Sequence, residues 1–94
     1  MSHPPSFIDN AKVILWAYSG EKPFGLIISD KTANRQEIFG IAICQYENST
    51  IVYRFSCDKD WNVLQDADYD SVEDAMNFLP KGYKQLNIDW HPSP

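Results

Sequence analysis

Apolar and polar positions alternate most clearly from Thr50 to Cys57. Ile51, Tyr53, Phe55 and Cys57 fall on one side there, and Val52, Arg54 and Ser56 on the other. A period of two is the repeat of a β-strand with one buried face and one half-wet face. Lys12 to Tyr18 is a short run rich in β-branched and aromatic residues closed by Ser19-Gly20, and it predicts another strand. Glu21 to Gly25 is a Pro- and Gly-containing loop before a strand over Leu26 to Ser29, so these two strands are expected to form a hairpin. Asp30 to Gln36 carries no periodicity and reads as a loop. Ile38 to Tyr46 and Thr50 to Ser56 flank Glu47-Asn48-Ser49, a second hairpin signal. With Asn48-Ser49 as its turn, Cys44 falls opposite Tyr53 and Cys57 opposite Gly40. That register holds the two sulfurs too far apart to bond.

After Asp58-Lys59-Asp60 turns the chain, Trp61 to Gln65 predicts a third meander strand, followed by a loop over Asp66 to Asp70. Ser71 is a good N-cap with Asp74 in the capping-box position, and Glu73 and Asp74 suit the positive first turn of a helix. The helix is expected over 72–79, with Val72, Ala75, Met76 and Leu79 on one face and Pro80 and Gly82 as stops. Leu86, Ile88 and Trp90 alternate in a last strand over 84–90. The expected fold class is α+β: a mainly antiparallel sheet of five to six strands with one short helix packed on one face. The opposite face has little sequence left to cover it.

The chain has 94 residues, 44% of them hydrophobic and 14% aromatic, enough apolar payload for one folded core. One domain over 1–94 is expected, with flexible ends at 1–10 and 91–94. The start has neither the basic residues nor the apolar run of a secretion signal, and no apolar stretch is long enough to cross a bilayer as a helix. A cytoplasmic location with no membrane contact is the expectation. Cys44 and Cys57 are the only cysteines and read as reduced thiols.

Charge alters this picture at one place. The segment Asp58 to Asp74 holds seven of the thirteen carboxylates against one base, Lys59, while the rest of the chain is close to balanced. Such a field attracts cations or basic surfaces and repels nucleic acid. Asp58, Asp60, Asn62 and Asp66 match four positions of a calcium loop, but Val63 stands where Gly is needed and Tyr69 where a bidentate Glu is needed. Ser19 to Phe24 matches a zinc-finger linker without the paired Cys and His that bind zinc. Gly20 and Gly25 have phosphate-loop spacing, but Leu26 and Ile27 replace the Lys and hydroxyl residues. A nucleophile would need a nearby base, and the only histidines, His3 and His91, lie near the ends. No catalytic residue, cofactor or metal ligand set is therefore expected, and the chain reads as a non-enzyme.

Glu73 and Asp74 are accounted for by the helix dipole. The carboxylates left over are Asp58, Asp60, Asp66, Asp68 and Asp70, with Trp61 and Tyr69 among them. Aromatic anchors within steering charge are what a protein-binding surface uses, and these seven residues form the candidate partner-binding site. Trp61 serves equally as a core residue of its strand, and Tyr69 as a plug beneath the helix. Over Tyr53 to Leu79 the strand, acidic turn, strand and capped helix resemble small acidic bacterial proteins of the kind encoded beside secreted toxins. The resemblance implies an immunity protein that binds and occludes a basic toxin domain. Two other readings stand beside it: a homodimer joined through an exposed sheet face, and a weak cation-binding or small enzymatic domain using the acidic loop.

Overall fold

A computed structural model describes residues 3–28, 35–79 and 88–93. The strands are β1 (Phe7–Ile8), β2 (Ala11–Tyr18), β3 (Gly25–Ile28), β4 (Arg35–Ile38), β5 (Gly40–Gln45), β6 (Val52–Cys57), β7 (Val63–Tyr69) and β8 (His91–Pro92); the helix is α1 (Val72–Asn77). The main sheet runs β1-β2-β5-β6-β7, with β8 also on β2, and β3 and β4 form a separate pair. Every pairing is antiparallel. The five-strand path curls into a half-barrel.

The α+β expectation is corrected to a mainly β fold: 50% of the described residues are strand and 8% helix. The helix stops at Asn77 rather than at residue 79, because Phe78 leaves helical dihedrals at φ −90° and ψ 65°. The acidic stretch expected as a loop over 66–70 is instead mostly strand, since β7 continues to Tyr69 opposite Val52. β6 supplies a full row of backbone partners, which outweighs the low strand preference of Asp. Of the strand expected over 84–90, residues 80–87 lie outside the described residues. Residues 88–90 are not strand, and pairing occurs at His91–Pro92.

The first hairpin is corrected as well. β2 pairs with β5, Tyr18 facing Gly40, while β3 pairs with β4. An eight-residue apolar strand buries more in the sheet centre than a partner of four can cover. The second hairpin has the expected register, with Cys44 opposite Tyr53 and Cys57 opposite Gly40. Both cysteines are free and fully buried.

The described end segments both join the outer edge of β2. Asp9 and Asn10 at φ 49° and 68° make a two-residue turn that folds β1 onto Lys12 and Ala11. Pro92 and His91 pair with Leu15 and Trp16, the other half of the same edge. Between them the strand bulges at Ile14, whose carbonyl accepts from the Ser93 N–H at 3.0 Å. The bulge is what sets Val13 and Trp16, three residues apart, on one face.

Both faces of the sheet are covered. Inside the curl lie Ile8, Val13, Trp16, Ala42, Cys44, Phe55, Cys57 and Trp61. On the other face Ile43, Val52 and Ala75 form one cluster and Ala17, Phe24, Ile38 and Ile41 another, under α1 and the β3–β4 pair, while the face opposite the helix, expected to lack cover, encloses its own core within the curl. Val72, Ala75 and Met76 do turn inward together, as their spacing predicts. Arg54 and Ser56, on the face expected to be half wet, are only 4% and 3% exposed.

Candidate functional site

The sequence-predicted residues separate into three groups. The first is the loop joining β6 to β7. Asp58 organises it: its Oδ1 accepts from the main-chain N–H groups of Asp60 and Asn62, each at 2.9 Å, and its Oδ2 accepts from Asn62 Nδ2 at 3.1 Å. Partial burial works to raise the Asp58 pKa, but these donors from Asn62 and Asp60 outweigh it and hold the carboxyl below its ordinary value. Its carboxylate is committed inside the loop, whereas Asp60 points to solvent.

A pH dependence follows. A carboxylate with a depressed folded pKa adds stability that is present above its unfolded pKa, about 4, and is lost as pH falls through the folded value. Wild type should therefore exceed Asp58→Asn in urea unfolding at pH 7 and pH 5, with the gap closing below about pH 4. A gap that does not change with pH would show that the charge is irrelevant to the loop.

The second group is the pair of aromatic rings. Trp61 is 6% exposed and belongs to the core inside the half-barrel, edge-on to Trp16 at 6.1 Å and 5.9 Å from Tyr18. It anchors the loop from beneath. Its φ of 66° lies in the left-handed region, a strained conformation for an aromatic residue. Room for its ring comes from Gly40, where a Cβ would stand 2.6 Å from Trp61 Cζ3. Tyr69 is half-buried, with the Arg54 guanidinium 4.9 Å from its ring centre and its hydroxyl donating to the Phe78 carbonyl at 3.2 Å.

The third group is exposed. Asp66 and Asp68 stand opposite Phe55 and Tyr53 and share one face of β7, while Gln65, Ala67 and Tyr69 alternate onto the face of α1. Asp70 follows the strand at the bend before Ser71. Ser71 Oγ accepts from the Asp74 N–H at 3.1 Å, the N-cap bond expected there, and Glu73 and Asp74 lie in the first turn of α1. Asp60, Asp66, Asp68 and Asp70 are thus the acids left open to a partner.

Next to the loop lies a surface cavity of about 370 Å³ lined by Gln36, Glu37, Phe39, Asp58, Asp60 and Leu64. Lys59 Nζ sits 4.8 Å from the centre of the Phe39 ring at its rim. Among the described residues no group of three His, Cys, Asp or Glu could hold a metal ion. Burial pushes both thiols up to about 12, Cys44 with help from Asp9 and Cys57 with help from Cys44, Asp58 and Asp9, so at neutral pH neither is a nucleophile.

Two clusters went unread in the sequence. His3 and His91, at opposite ends of the chain, both meet Trp16, at 5.0 Å and 4.7 Å between ring centres. Trp16 Nε1 donates to the Pro92 carbonyl at 3.2 Å, and His91 Nε2 lies 3.5 Å from Asp89 Oδ2. Only the pairing of β1 and β8 on one strand brings these ends together, and no local pattern announces it. The other is Arg54, whose Nη1 donates to the Ala75 and Phe78 carbonyls at 2.9 and 2.7 Å. One signal was legible: no basic residue occupies the last turn of α1, so its carbonyls need a donor from elsewhere.

No family model, curated protein or solved structure matches this chain. No helix of the described residues is long and apolar enough to cross a membrane.

Proposed function

We propose that this chain is a non-enzymatic protein-binding module that receives a basic partner on the acidic surface made by the 58–62 loop and β7. In its particular form the reading is an immunity protein that occludes a basic toxin domain. The observation that supports it is the exposure of Asp60, Asp66, Asp68 and Asp70 along one loop and one strand. Like charges gathered there repel one another, and a cationic surface would relieve that repulsion. Trp61 contributes by fixing the loop, and Tyr69 by supporting the strand end.

Affinity capture at low and high salt tests the reading. Wild type should retain a basic protein that a variant with Asn at those four positions loses, with the association rate falling about tenfold or more at low salt. A variant that captures the same partner at the same rate would sink it. A homodimer is the second reading, favoured by Phe7 and Tyr46, which are 58% and 36% exposed and border a cavity of about 400 Å³. A monomer at every concentration in sedimentation would end that alternative.

A further inference from the structure

Among the described residues, one long strand on the β1-β2-β5-β6-β7 path has no strand partner on its outer side. β1 is two residues long, and its side of β2 is shared with β8, whereas β7 runs for seven residues with β6 as its only strand neighbour among the described residues. An open edge of that length displays a row of backbone N–H and C=O groups, and natural sheets blunt such edges because they recruit other strands. Gln65, Asp66 and Asp68 are exposed on it and Ala67 and Tyr69 half-exposed.

The two faces of this edge differ in chemistry. One carries Asp66 and Asp68, alternate residues about 6.8 Å apart at the rise of an antiparallel strand. The other carries Ala67 and the Tyr69 ring, which stacks on Phe78 at 6.3 Å, and Phe78 is 62% exposed. An incoming strand that alternates basic with apolar residues meets both requirements at one register. Its cations fall beside Asp66 and Asp68, and its apolar side chains fall over Ala67 and the Tyr69–Phe78 pair. A second copy of this chain meets them poorly, since two β7 edges paired about Asp66 or Ala67 set carboxylates against carboxylates.

We propose that the outer edge of β7 binds an extended basic segment of the partner as an added antiparallel strand, cations on the Asp66 and Asp68 face and apolar residues on the Tyr69 face. This rests on the reading of the chain as a binder of a basic protein and names how that partner is held. The acids then have a double role: they admit a cationic strand and refuse self-pairing.

The test uses the whole protein and a nine-residue peptide alternating Lys and Val, beside the same peptide N-methylated at every interior amide. The methylated form keeps the charge and loses the ladder donors. Amide hydrogen exchange and chemical shifts read the site. The unmodified peptide should slow exchange at amides within Gln65 to Tyr69 and should bind about tenfold or more tightly than the methylated one. Asp66→Asn with Asp68→Asn should weaken it and flatten its salt dependence. Equal binding by both peptides would overturn strand addition while leaving the charge-based reading standing. Binding by neither would overturn both.

Discussion

Trp61→Ala should cost about 3–5 kcal/mol, the loss typical of a large aromatic removed from a core. Trp61 touches Trp16 and Tyr18 inside the half-barrel, so its removal opens a cavity where the β6–β7 loop, β2 and the start of β5 meet. A domain of this size shifts by about 4–8 °C in Tm per kcal/mol, so the change is large in a thermal scan. Two companion variants identify the cause. Trp61→Gly should be no worse than Trp61→Ala, reversing the usual penalty for glycine, because φ 66° suits glycine and strains alanine. Gly40→Ala should cost about 1–3 kcal/mol by driving a methyl into the Trp61 ring. In the double variant that clash has nothing to strike, so the two losses should fall short of their sum. Additive losses would mean that the Gly40 contact is not what fits the ring. Glycine worse than alanine would remove the argument from strain.

Those same residues show what a sequence can carry. The register of β5 on β6 was legible because a turn at Asn48-Ser49 fixes which residues of the two strands stand opposite each other. Ser71 and Asp74 were legible because a helix N-terminus has a local chemistry of its own. The fate of Asp66 and Asp68 was not, since aspartate reads as loop until the six-residue strand β6 is known to lie beside it. Nor was the role of Lys12 to Tyr18. A run of apolar residues says strand, but its neighbours are chosen by competition across the whole chain, and β5 wins over the nearer β3. At the candidate site the acids could be named as surplus charge, yet only the fold separates Asp58, bonded within its loop, from Asp60, Asp66, Asp68 and Asp70. Likewise Trp61 left two roles open, and its 6% exposure places it beneath the surface rather than on it.

Arg54→Met should detach α1 while leaving the half-barrel folded, with a loss of about 2–3 kcal/mol. The helix has six residues, too few to persist without tertiary support. Its last carbonyls have no intrahelical donors. Arg54 Nη1 serves two carbonyls at this end, those of Ala75 and Phe78, and its charge lies at the negative end of the helix dipole. Each bond from a charged donor is worth about 1.5–3 kcal/mol, and methionine keeps the volume without the donors. The loss is less than two such bonds because a 4% exposed guanidinium also costs solvation, and its Nε is buried without a partner. Arg54→Lys keeps the charge and forfeits the fork, so it should fall between wild type and methionine. Faster exchange confined to the amides of α1 is the expected signature. Full protection of α1 in Arg54→Met would show that Val72, Ala75 and Met76 hold the helix by burial alone. The consequence reaches the binding surface without touching an acid: Tyr69 donates to the same Phe78 carbonyl and stacks on its ring. A released α1 therefore takes the apolar side of the β7 edge with it, and affinity for an alternating basic and apolar strand should fall although Asp66 and Asp68 are intact.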